Sequence, residues 1–133
     1  MVKNKKSIIM EYLNSLSYEI IGAAYQVHSE LGPGLLESTY EVCLEYELIK
    51  RGFKVERQKA LPVIYDDKKL DAGYRIDLLV EDSIIVELKS VAAIEPIHKA
   101  QIMTYLKLSD LSLGLLLNFN VTDMKKGINR FVM

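Results

Sequence analysis

Apolar residues recur at helical spacing early in the chain, at Leu16, Ile20, Ile21, Ala24, Val27 and Leu31, and this predicts a first helix. Ser17 is placed to cap its start, with Leu16 and Ile21 as the flanking hydrophobic pair. Gly32 should end it. Pro33 cannot continue a helix and Gly34 permits a turn, so a second helix is expected from near Leu35 to about Lys50, closed by Gly52. Its buried stripe would be Leu36, Tyr40, Cys43, Leu44 and Leu48.

From Phe53 onward the period becomes alternating, with Phe53 and Val55 on one face and Leu61, Val63 and Tyr65 following around a break at Pro62. Two stronger strands come next, YRIDLLV at 74–80 and IIVELKSV at 84–91. Glu81, Asp82 and Ser83 between them predict a three-residue hairpin. Pro96 opens a third helix to about Leu108, before an apolar strand at 112–119 and a short one around Ile128 to Val132. A strand, a crossover helix and a second apolar strand imply a parallel pair at the centre of the sheet. The expected class is α/β (α+β), ordered helix, helix, three or four strands, helix, strand, strand. A mixed sheet of about five strands would be flanked by helices in a single domain over 1–133.

The composition suits such a domain: 133 residues, 50% apolar and 26% charged, with three prolines, can bury a core without disulfides. Cys43 is the only cysteine, which excludes an intrachain bridge. No apolar run approaches the ~20 residues of a membrane helix. The N-terminal MVKNKKSIIMEYL has lysines before a short apolar patch, but it contains Glu11 and lacks a small-residue cleavage site. A cytoplasmic protein without membrane association is the expectation. The net charge of -1 offers no global field for nucleic acid. Any such contact falls to local patches, at Lys50, Arg51, Lys54, Arg57 and Lys59 or at Lys125, Lys126 and Arg130, which by charge alone read as solvated faces.

Candidate chemistry lies in the hairpin. With residues 81–83 as the loop, Val80 faces Ile84, Asp77 faces Glu87 and Arg75 faces Lys89, and these last four side chains leave one face of the sheet. A two-residue loop would instead set Asp77 against Leu88 and destroy the arrangement. Facing residues have Cβ atoms ~5 Å apart, where like charges repel unless something compensates. A divalent cation does so, and magnesium favours carboxylate oxygen and water. Lys89 would then orient a water or offset charge on a phosphate, as metal-assisted phosphodiester hydrolysis requires. The alternative is a cross-strand salt-bridge ladder. Ile85 and Val91 on the acid-bearing face suggest that this face is covered, which weighs against an exposed ladder. In the third helix His98, Gln101 and Tyr105 share one face at i, i+3 and i+7, either over the same site or bonded to solvent and backbone at a helix edge. Nucleophilic hydrolysis by Cys43, or by a serine with His28 or His98, is disfavoured: Cys43 lies on the buried stripe, and no acid is spaced to orient His28.

The segment GPGLLESTY resembles the signature of the GxxExxY proteins, and Asp77 followed by VELK resembles the core of the PD-(D/E)XK nuclease superfamily to which they are assigned. The similarity runs from about Ser17 to Val132 and takes in GYRIDLLVED, IVELKSV, HKAQIMTYL and GINRFV. Residues 1–15, with Lys3, Lys5 and Lys6, fall outside it as an N-terminal extension. One departure is that Ile76, not proline, precedes Asp77. The resemblance implies a restriction-endonuclease-like core with magnesium, or else manganese, held by Asp77, Glu87 and the Leu88 carbonyl. Lys89 would serve the attacking water. Glu37 would be the additional acid, acting through water, although with Gly34 as cap it would also fall at the third helical position, where any helix favours an acid. Gln101 and Tyr105 resemble a Gln-x-x-x-Tyr element that lies beside the active site in exonuclease-type relatives, with His98 and Arg75 as further supporting residues. Arg57 and Gln58 match a family segment without an assigned role. The function so implied is a nuclease that hydrolyses phosphodiester bonds, with DNA rather than RNA the favoured partner and a homodimer or partner protein as a further expectation. The competing reading is a catalytically silent module that binds nucleic acid or protein on the same fold.

Overall fold

The structure is a computed structural model that describes residues 4–133, so Lys3 lies outside the described residues. Helix α1 spans Lys5–Leu31 and starts well before Ser17. Residues 5–15 hold no glycine or proline, and Leu13 continues the buried stripe of Leu16, Ile20, Ala24 and Val27 by one turn. Asn4 supplies the cap, its side chain accepting the Ser7 N–H at 2.8 Å. Ser17 is therefore an interior residue, its hydroxyl donating to the Asn14 carbonyl. The expected 1–15 extension is helical over its described part from Lys5.

Gly32 ends α1 with φ 69, and α2 runs from Glu37 to Lys50. The corner between them is longer than the sequence suggests. Its length is set by Tyr40, whose hydroxyl donates to the Gly32 carbonyl at 2.5 Å and accepts the Leu35 N–H at 3.1 Å. The Tyr40 ring is fully buried and stacks on Phe119 with centroids 4.6 Å apart. Leu36 is left extended at the N-cap and 75% exposed, not buried as its spacing predicts. Glu37 consequently occupies the first helical position, not the third.

Strands β1 (Val55–Ala60), β4 (Arg75–Val80), β5 (Ile84–Lys89), β6 (Leu113–Asn118) and β7 (Ile128–Val132) form one sheet in the order β1-β4-β5-β6-β7. The short β2 (Val63–Tyr65) and β3 (Lys68–Leu70) form a separate hairpin, turning through left-handed Asp66 and Asp67. Helix α3 (Pro96–Ser109) crosses over between β5 and β6, which pair in parallel from Ile84↔Leu113 to Lys89↔Asn118. The other neighbouring pairs are antiparallel. The sheet is thus mixed, with β5 at its centre and the parallel pair where the crossover predicts it.

Helices α1 and α2 cover one face, packing on Leu78, Val80, Val86, Leu88, Leu115 and Leu117. Helix α3 covers the other through Ile102, Tyr105 and Leu106 against Ile76, Leu79, Ile85 and Leu116. It lies close because β6 carries Gly114, where a Cβ would stand 2.9 Å from the Ile102 side chain. Among the described residues no helix is long and apolar enough to cross a membrane.

The Tyr40 clasp predicts a specific cost. Tyr40→Phe keeps the stacked ring but removes both bonds to the corner, and each intramolecular hydrogen bond contributes about 1 kcal/mol. The urea unfolding free energy should fall by about 1–3 kcal/mol, since the Gly32 carbonyl and Leu35 N–H lose their partner; an unchanged midpoint would show that the corner stands without the hydroxyl.

Candidate active site

The hairpin between β4 and β5 turns through Glu81 and Asp82, both left-handed at φ 52, and sets Val80 opposite Ile84 as a three-residue loop requires. Pairing continues through Leu79↔Ile85 and Leu78↔Val86 and then stops. At the next position each acid takes up backbone from the opposite strand. The Asp77 N–H donates to Glu87 Oε2 at 2.8 Å, and the Leu88 N–H donates to Asp77 Oδ2 at 3.0 Å. Two facing acids thereby become two mutually anchored acids.

Beyond this point the strands separate, so the expected opposition of Arg75 and Lys89 is not formed. Arg75 lies opposite Ala60 of β1, is exposed, and stands 3.8 Å from Asp71, with a guanidinium N–H donating to the Tyr74 carbonyl. The structure does not bring it to the acids. Among the described residues neither Asp77 nor Glu87 forms an ion pair with Arg75 or Lys89, so the salt-bridge ladder is absent.

Helix α2 brings acids from the other side. Glu37, in its first turn, lies near enough to Asp77, Lys89 and His98 for their charges to act on it. One turn later Glu41 is buried at 6% exposure and accepts the Gln58 side-chain amide at 2.8 Å and Arg57 Nη1 at 3.5 Å. The same Gln58 nitrogen donates to Asp77 Oδ1 at 3.2 Å. Arg57 also reaches Glu45, its Nε 3.2 Å from Oε1. Glu37, Glu41, Arg57, Gln58 and Asp77 line an open cleft of about 660 Å³ together with Leu36 and Ser38. The Ser90 hydroxyl donates to the Leu35 carbonyl at 2.7 Å, which ties the end of β5, and Lys89 with it, to the corner that starts α2.

From the opposite layer, Tyr105 is buried against the sheet and its hydroxyl accepts Gln101 Nε2 at 3.3 Å. Burial raises the Tyr105 pKa, and the charges of Glu87 and Asp77 raise it further. Tyr105 thus lies within electrostatic reach of both acids, while the pair lines a separate cleft on the α3 side with Tyr74 and Ile97. His98 does other work: its Nδ1 accepts the Glu95 N–H at 3.0 Å and completes the cap of α3. Its charge still reaches Glu37. Cys43 is half-buried against the core, and buried His28 has a ring nitrogen 2.7 Å from the Val121 carbonyl, so both pack and neither joins the acids.

Excess negative charge marks the cluster. Burial, and then the neighbouring Asp77, push the Glu87 carboxyl from the usual 4.5 up to about 8, against the opposing Asp77 N–H and Lys89. Glu37 is raised chiefly by burial, partly offset by Lys89, and Glu41 by burial and then by Asp77. The donors on offer are oxygens, the set that magnesium or manganese prefers. Among the described residues no three His, Cys, Asp or Glu side chains converge as a complete cage, so a cation here would share two carboxylates with backbone oxygen and water. Glu41 escaped the sequence reading. The available signal was its place one helical turn after Glu37, on the same face of α2.

The Glu87 shift fixes the sign of a pH dependence. An acid with a raised folded-state pKa holds its proton better in the folded protein, so its contribution is complete below the unfolded value of about 4.5 and is lost as pH climbs toward 8. In a chelating buffer the unfolding free energy should fall between pH 5 and 8, with a flatter profile for Glu87→Gln. Parallel profiles for the two proteins would refute the assignment.

A model for the PD-(D/E)XK nuclease superfamily matches residues 14–131. The comparison with curated proteins found no match, and neither did that with solved structures. With nearly the whole chain matched and a five-stranded mixed sheet flanked by helices, the protein belongs to the PD-(D/E)XK nuclease superfamily.

Proposed function

We propose that this chain is a divalent-cation-dependent nuclease, a member of the GxxExxY group within its superfamily, that hydrolyses phosphodiester bonds of DNA or RNA. The observation that carries the proposal is the mutual anchoring of Asp77 and Glu87 at the point where the β4–β5 ladder opens. A buried Glu87 anchored beside a half-buried Asp77, with its carboxyl raised to about 8, is an acid pair lacking its counter-charge.

On this reading Asp77, Glu87 and the Leu88 carbonyl hold magnesium or manganese, with Glu37 contributing through water from the first turn of α2. The cation, when bound, supplies Lewis-acid polarisation of the phosphoryl oxygen and a more acidic water. The chain's own groups do the remainder. Lys89, whose charge acts on both Glu37 and Glu87, orients the attacking water and offsets charge on the phosphate. Gln101 and Tyr105 form the wall on the α3 side, along which the nucleic acid passes.

The test is cleavage of labelled single- and double-stranded DNA and RNA with magnesium or manganese. Lys89→Ala should lower the rate by at least about a hundredfold, the scale of a lost transition-state donor. Equal cleavage by the variant, or no cation-dependent cleavage of any substrate, refutes the catalytic role. Calorimetric titration of manganese separates the two parts of the proposal: binding by wild type that is lost in Asp77→Asn, without turnover, would favour the silent module.

A further inference from the structure

We propose that Gln58 is a positioning residue whose carboxamide bridges Glu41 to Asp77 and fixes Asp77 for the cation. The inference rests on the reading of Asp77 as a ligand.

Strand β1 pairs with β4 in one continuous register, from Val55↔Val80 to Arg57↔Leu78 and again from Lys59↔Ile76 to Ala60↔Arg75. Only the position of Gln58, opposite Asp77, is skipped. There the Gln58 backbone is left-handed, with φ 55. A residue with a Cβ adopts this in a strand only under strain, and such strain persists where the surroundings impose it, commonly at functional sites.

The strain has a visible result. Successive side chains of a strand normally point to opposite faces. Yet Arg57 and Gln58 both reach the same α2 carboxylate, with Arg57 at Oε2 and Gln58 at Oε1 of Glu41. The left-handed turn of the backbone is what brings the second of two neighbours to the first one's face. Asp77 shows the matching distortion, since Ile76 packs under α3 while Leu78, two residues on, packs under α1 and α2.

The chemistry fits the amide. A primary carboxamide carries two N–H donors on one nitrogen. Gln58 Nε2 has two acceptors, Glu41 Oε1 at 2.8 Å and Asp77 Oδ1 at 3.2 Å. A neutral double donor lets two acids stand side by side without itself adding charge. Asp77 is then held at both oxygens, by Gln58 at Oδ1 and by the Leu88 N–H at Oδ2, and each oxygen retains a lone pair for a cation. Outer groups that orient a ligand in this way commonly contribute ten- to a hundredfold in metal affinity.

The test is manganese affinity by calorimetry on folded wild type, Gln58→Gly, Gln58→Asn and Asp77→Asn, with metal-free unfolding midpoints alongside. Glycine accepts the left-handed backbone without strain but has no amide; asparagine tolerates it but is one methylene too short to bridge. Both should bind at least about tenfold more weakly than wild type. Their metal-free midpoints should move little, because relief of strain and loss of two bonds act in opposite directions. Wild-type affinity in both variants overturns the inference, and a lowered midpoint with unchanged affinity would make Gln58 a structural residue only. The ligand reading fails separately, and this inference with it, if wild type takes up no manganese or Asp77→Asn takes it up equally.

Discussion

Like charges repel more strongly as water is removed from between them, so two acids facing each other across buried strands are the hardest arrangement in this molecule to maintain. Asp77 and Glu87 are held by exchanging side-chain acceptors for the backbone acceptors that the sheet would have supplied. The exchange requires the β4–β5 ladder to open, and an open ladder would leave β5 loose if that were its only partner. It is not: β6 pairs with every residue of β5 from Ile84 to Lys89. The central parallel pair holds β5 along its whole length while its pairing with β4 ends at Leu78, and the acids stand at that end.

The second layer of the site depends on a corner. Tyr40 fixes the corner from within α2, bonding back to Gly32 and Leu35 while its ring stacks on Phe119 just beyond β6. Ser90 joins the same corner to the end of β5. Glu37 and Lys89 are therefore registered through short covalent paths from one pinned loop. Helical periodicity then carries the acidic face onward to Glu41 and Glu45, where Arg57 and Gln58 of β1 meet it.

How much of this the sequence disclosed follows the range of the forces involved. The hairpin register was legible because a three-residue loop and an alternating pattern are local, and together they put Asp77 opposite Glu87. The central strands were legible as continuous apolar runs. The start of α1 was not, because Asn4 and Ser17 are both competent caps and tertiary burial of Leu13 favours the longer helix. Leu36 falls on the buried stripe by local spacing yet is exposed, because the length of the corner is set by a contact from Tyr40. Arg75 would stand beside the acids only if the ladder continued, and alternation does not encode where a ladder opens. Glu41 and Gln58 were the least visible. A helical glutamate ordinarily reads as solvated, and nothing in the residue type of glutamine announces a left-handed backbone.

The charge balance ties the fold to its proposed chemistry. Asp77, Glu37 and Glu41 line the cleft, with Glu87 bonded to the Asp77 N–H behind it, while of the nearby cations Arg57 is already committed to Glu41 and Glu45. Lys89 is then left to offset Asp77, Glu87 and Glu37, and the chain's net charge of -1 adds no attraction from a distance. A phosphodiester approaching these acids would meet repulsion from most of its surroundings. On the proposed reading, a divalent cation held by Asp77 and Glu87 would reverse the sign of that encounter and relieve the acids at the same time. The feature that strains the protein without a cation is thus, on the proposed reading, the one that would make phosphate binding conditional on having it, and the Gln58 amide, which donates to both Glu41 and Asp77, adds no charge of its own.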